Sequence, residues 1–196
     1  MPSIIDDILT VISWSIAYLM IVYSGFRSIK IKKVSMPYIA GVANIAWEIC
    51  ALYWTSGFWG YILWLGIDII IVCFGFLFLN SKAKKICYLV SILLCTLAFF
   101  LILYNSSRAF IYTLFIVDLL MAILYLIEYK KLSPVLKLPI AVAKLLGDFF
   151  AGFVFEQYTL TVVIASIVFV CNSIYLYLCI KEKITFTRTQ SITTKA

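Results

Sequence analysis

Histidine is absent from this chain of 196 residues. No imidazole can ligate a metal or a haem, or serve as the base of a nucleophilic triad, so those sites are excluded. Charge is scarce as well. Asp, Glu, Lys and Arg make up 13% of the chain and hydrophobic residues 65%, with a mean hydropathy of +1.10. Soluble domains carry about 25% charged residues, so this composition describes an integral membrane protein. Cysteine occurs as Cys50, Cys73, Cys87, Cys95, Cys171 and Cys179, never as a C-x-x-C pair. All six lie in apolar segments and read as small hydrophobes of helices, not as a disulfide framework or a metal site. The start, Met1 to Thr10, carries Asp6 and Asp7 where a cleavable signal peptide has a basic region. The first apolar segment is therefore expected to be a retained span. No convincing internal repeat is present, which weighs against the repeat-built transporter plans.

What is there is a series of apolar segments, at about residues 8–26, 36–55, 59–80, 86–104, 109–128, 135–155 and 159–180. Each is long enough for an α-helix, rising about 1.5 Å per residue, to cross some 30 Å of hydrocarbon. The shorter alternating segments of a β-barrel do not occur. The predicted fold is all-α: a single bundle of seven transmembrane helices over residues 1–184, with a polar, disordered tail at 185–196. Basic residues fall between segments in alternation. Arg27, Lys30, Lys32 and Lys33 follow the first, Lys82, Lys84 and Lys85 the third, Lys130, Lys131 and Lys137 the fifth, and Lys181, Lys183, Arg188 and Lys195 the seventh. Of the 16 lysines and arginines only Arg108 and Lys144 lie elsewhere. The positive-inside rule then places the amino terminus outside and the carboxyl terminus in the cytoplasm. Topology and anionic headgroups account for the net charge of +7, with no call for nucleic acid.

Inside the apolar segments sit Glu48, Asp68, Asp118, Asp148 and Lys144. An ionisable residue at the centre of a bilayer costs roughly 2.5–3.5 kcal/mol on insertion scales, so it persists only beside a partner, a cavity or water. The acids outnumber the single base, and pairing alone cannot neutralise them. Asn44 and Glu48 are four apart and share a helical face, as do Trp64 and Asp68, and Lys144 and Asp148. Lys144 and Asp148 read as an internal ion pair. Asp118 has no motif around it and reads as a helix-packing residue. Glu48, Asp68 and Asp148 are expected to line one cavity. A carboxyl in a low-dielectric site holds its proton, which is what general-acid activation of an apolar substrate requires. Trp47, Tyr53, Trp54, Trp59 and Trp64 gather near the same ends of the second and third segments. They read either as the aromatic belt of a membrane surface or as faces able to stabilise a carbocation.

Met36-Pro37 followed by Asn44-Ile45-Ala46-Trp47-Glu48 resembles the M-P…N-x-x-W-E signature of the integral-membrane terpene cyclases of fungal meroterpenoid and indole-diterpene biosynthesis and their bacterial relatives. Trp64 to Asp68 is similar to their W-x-x-x-D, and Lys144 to Gly147 to their K-x-x-G. Asn172 and Tyr175 stand where the family carries D-x-x-Y, with an amide in place of the acid. The resemblance spans the seven-segment layout and about a dozen specific positions. It implies a membrane-embedded enzyme that needs no metal or other cofactor and cyclises a lipophilic, prenylated substrate taken from the membrane lipid. Glu48 protonates an epoxide or alkene. Because Asn172 cannot donate a proton as an acid, Asp68 or Asp148 supplies the second carboxyl. Asn44, Trp47, Tyr53, Trp64, Lys144, Asn172 and Tyr175 are the expected substrate contacts. Two other readings use the same residues: a small transporter or cation- or proton-binding protein, and a non-catalytic subunit whose polar groups bridge helices.

Overall fold

A computed structural model describes residues 4–55, 59–105, 109–154 and 159–193, and all regular structure among them is helical. The elements are α1 (Ile4–Arg27), α2 (Tyr38–Trp54), α3 (Trp59–Phe78), α4 (Lys82–Asn105), α5 (Ala109–Glu128), α6 (Lys137–Val154) and α7 (Thr159–Thr193). They fall on the seven apolar segments. The side chain of Trp59, Arg108 and residues 194–196 lie outside the described part.

Local chemistry sets the helix boundaries. Pro37 caps the start of α2 with φ −54°, and its carbonyl accepts the Gly41 N–H at 3.0 Å. A proline there suits the helical φ and withholds no needed donor. At the other end, the Thr55 N–H and hydroxyl both donate to the Ala51 carbonyl, at 2.9 and 2.7 Å. Before α6 the chain turns at Leu136, whose φ of 56° lies in the left-handed region. Pro139 then occupies the first turn of α6, where a missing N–H is harmless.

Helices α1, α3, α2, α5, α7 and α6 follow one another around a closed ring, each packed on the next, while α4 lies outside against α2 and α5. Eleven of the 17 residues of α2 are buried, and Ala40, Gly41, Ala43, Ala46 and Ala51 keep its surface low enough for neighbours to approach closely. One end of the ring is tied by a buried serine cluster. The Ser24 hydroxyl donates to the Val135 carbonyl at 2.7 Å and accepts from Ser35 at 2.6 Å, the Ser133 N–H donates to the Val34 carbonyl at 2.8 Å, and Tyr125 donates to the Ser35 carbonyl at 3.1 Å. The α1–α2 and α5–α6 connections are thus joined where each satisfies the other's polar groups.

Side chains are distributed inside out relative to a water-soluble domain. Leu63, Leu93, Leu101 and Ile102 face outward, whereas Glu48, Asp68, Asp118, Lys144, Asp148 and Asn172 are buried. So much exposed apolar surface fits hydrocarbon, and the helices satisfy their own backbone groups. Five helices, α1, α3, α4, α5 and α7, are long and apolar enough to cross a membrane. The other two, α2 and α6, are shorter and also carry buried charge. Helix α2 has 17 residues and contains Glu48, and α6 has 18 residues and contains Lys137, Lys144 and Asp148. Helix α7 runs on to Thr193, into the segment expected as a polar tail from 185. All six cysteines are unpaired.

Candidate functional site

The ring encloses a cavity of about 360 Å³ lined by α1, α2, α3, α5 and α6. On α2, Asn44, Trp47 and Glu48 share a face at the i, i+3, i+4 spacing and all three line it. Glu48 is 5% exposed, and its Oε2 is buried without a hydrogen-bond partner. Leaving a buried acceptor unmatched costs about 1–3 kcal/mol. A helix-bridging carboxyl would have used that capacity, and this one points into the cavity.

Aromatic rings form a continuous wall. Trp14 meets Trp64 with centroids 6.2 Å apart, Trp64 meets Tyr61 at 5.8 Å, Tyr61 meets Trp47 at 5.8 Å, and Trp47 meets Phe110 at 5.2 Å. The indole N–H groups are anchored away from one another: Trp47 donates to the Thr113 hydroxyl and Trp64 to the Ser15 hydroxyl, each at 3.1 Å. With these N–H groups satisfied, the rings are held in place, and Trp14, Trp47, Tyr61 and Trp64 line the cavity.

The other acids are disposed differently. Asp68 is buried and accepts a hydrogen bond from Asn44, so the amide expected beside Glu48 serves a carboxylate on the next helix. Asp148 accepts from Trp14 Nε1 at 3.0 Å through one oxygen and from Asn172 through the other. Lys144 Nζ stands 4.0 Å from the same carboxylate, as the i, i+4 spacing predicts, and 5.6 Å from the centre of the Tyr125 ring. Neither Asp68 nor Asp148 lines the cavity; Asp118 and Lys144 do. The expected three-acid grouping of Glu48, Asp68 and Asp148 is therefore replaced by Glu48 and Asp118, with Lys144 as the base. Among the described residues no cluster of three potential metal-donor side chains forms.

Three expected substrate contacts lie outside the cavity wall. Tyr53 is 71% exposed and packs on Phe100 at 5.4 Å, on the outer face of the bundle. It is five residues from Glu48, which at 3.6 residues per turn places it on the far side of α2. Asn172 reaches Asp148 and not the cavity, and its Oδ1 is buried without a partner. Tyr175 is buried against Tyr125 with centroids 5.2 Å apart. Conversely, Trp14, Tyr18 and Tyr61 line the cavity without having been singled out in the sequence. The signal for Trp14 and Tyr18 is the stripe Thr10, Trp14, Ala17, Tyr18 and Ile21 along one face of α1, all of which line the cavity, while Tyr61 lies three residues before Trp64 on α3.

Gly147, in the segment resembling K-x-x-G, is the small residue that admits Trp14 to α6. A Cβ at this position would lie 2.1 Å from Trp14 Cδ1. Gly147→Ala is expected to push the indole off Asp148 and to cost about 1–3 kcal/mol, the usual range for overpacking. Unfolding in mixed micelles checks this, and a Trp14→Phe/Gly147→Ala pair should lose less than the sum of the single changes.

No protein-family model, curated protein or solved structure matches this chain.

Proposed function

We propose that the protein is a seven-span membrane enzyme that cyclises a lipophilic, prenylated substrate, with its amino terminus outside and its carboxyl terminus in the cytoplasm. The reading joins the resemblance of the Asn44-to-Glu48 and Trp64-to-Asp68 segments to the terpene cyclases with the physical character of the cavity. The unpartnered Oε2 of Glu48 carries it. A carboxyl in a low-dielectric cavity favours its neutral form, and a neutral acid in an apolar pocket can protonate an epoxide or alkene. The cation so formed would lie against Trp14, Trp47, Tyr61 and Trp64, whose faces attract positive charge by about 2 kcal/mol or more when desolvated. A volume of about 360 Å³ falls in the range of small-molecule sites, roughly 300–1,000 Å³.

The test is turnover in membranes of a heterologous host. Farnesylated and geranylgeranylated acceptors, with and without a terminal epoxide, are supplied, and products are compared by mass and chromatography. An isomer of the substrate formed by wild type is the expected result. If no acceptor is converted, proton or cation binding by the same cavity becomes the better account and the cyclase reading fails.

A further inference from the structure

Resting on the cyclase reading, the cavity raises a second question: which group takes the proton away at the end. The two acids named from the sequence for a second role are engaged elsewhere, Asp68 by Asn44 and Asp148 by Trp14 and Asn172. Asp118 is not. It lies on α5, across the cavity wall from α2, is 6% exposed, and receives no hydrogen bond or ion pair among the described residues. Leu114 and Met121, one turn to either side, line the same space, so α5 presents one carboxyl on an apolar strip. Lys144 also lines the cavity. Its ammonium pairs with Asp148 at 4.0 Å, whose carboxylate accepts two other donors as well.

We infer that Asp118 is the catalytic base that ends the cyclisation. Glu48 starts neutral: its O–H bond breaks, the proton passes to the epoxide oxygen or alkene carbon, and a carbocation forms as the C–O or C=C bond opens. Ring-forming C–C bonds then carry the charge along the chain. At the final cation a neighbouring C–H bond breaks, its electron pair becomes the new C=C bond, and the proton goes to the Asp118 carboxylate. Between turnovers that proton returns to Glu48, so the net reaction is an isomerisation with no co-reactant. The two carboxyls must begin in opposite protonation states, and Lys144 is the cation lining the same cavity as the Asp118 carboxylate.

Wild type, Asp118→Asn, Asp118→Glu and Glu48→Gln are compared in membranes with the same prenylated acceptors, and each purified variant is checked by size exclusion and melting. General bases contribute about 10²–10⁴-fold, so the native product from Asp118→Asn is expected to form at least about 100-fold more slowly. Substrate consumption should fall less, because protonation by Glu48 still occurs and the cation is lost by other routes. The diverted products are water adducts, one water heavier, and double-bond isomers. Asp118→Glu keeps a carboxylate displaced by one methylene and should shift the double-bond position while retaining turnover. If Asp118→Asn does not fold, the product ratio of Asp118→Glu decides. An unchanged ratio and rate in either folded variant overturns the assignment and leaves the cyclase reading standing. A wild type that cyclises nothing overturns the reading itself and the role of Asp118 with it.

Discussion

Replacing Glu48 by Gln is expected to reduce turnover by about 10²–10⁴-fold, the range of general-acid catalysis, equivalent to about 2.7–5.5 kcal/mol of transition-state stabilisation. The change is isosteric, and Oε2 has no hydrogen bond to lose. The loss is therefore chemical, because an amide cannot give up a proton to an epoxide or alkene. Stability should move little or rise. Glu48→Leu goes further: exchanging an unmatched buried acceptor for an apolar side chain is neutral or stabilising. Melting temperature should hold or increase as activity disappears. That opposition separates a catalytic acid from a helix bridge, whose removal would lower melting temperature and activity together. A Glu48→Gln enzyme as active as wild type would sink the proposed function.

The second large effect is structural. Asp148 receives Trp14, Asn172 and the Lys144 charge at one buried carboxylate. Asp148→Ala strands all three and should cost about 3–5 kcal/mol, as for a buried pair broken from one side. Lys144→Met combined with Asp148→Ala should recover part of that loss, since removing both partners of a buried pair leaves no uncompensated charge. Unfolding of the four proteins of this double-mutant cycle in mixed micelles measures the coupling. A double variant no more stable than Asp148→Ala alone would show that Lys144 is not what the carboxylate balances. Asp148→Asn is the milder test: it keeps an acceptor for Trp14 but removes the charge and puts a donor where the oxygen accepting from Asn172 stood. Because Lys144 lines the cavity, these variants should also alter product formation, an effect to be separated from stability by assaying below the melting temperature.

Several features of the site could be read from spacing within one helix. Asn44, Trp47 and Glu48 share a face because 3.6 residues make a turn, and they line the cavity together. Lys144 and Asp148 meet at 4.0 Å for the same reason. The position of Tyr53 was also legible, since five residues from Glu48 is nearly half a turn out of phase. Spacing fails where a side chain has a choice of helices. Asn44 can reach its own i+4 neighbour or the facing α3, and it bonds Asp68. Trp64 is four residues from Asp68 yet donates to Ser15 on α1. Asp118 carries no flanking motif, so nothing in α5 alone distinguishes a packing residue from one that faces open space.

Composition and hydrophobic length determined by themselves that this chain is helical and supplies spans apolar enough for a bilayer, because a stretch of apolar residues of that length has few ways to satisfy its backbone. They also determined that buried charge must be accommodated, since hydrocarbon offers it no solvation. Only the tertiary structure decided which acids are matched and which are left free. That choice depends on the neighbour each helix face meets around the ring: α3 faces Asn44, α1 and α7 bring Trp14 and Asn172 to Asp148, and no donor is brought to the Glu48 Oε2. Pairing across helices is a property of the packed bundle, and the distances that settle it do not exist until the ring has closed.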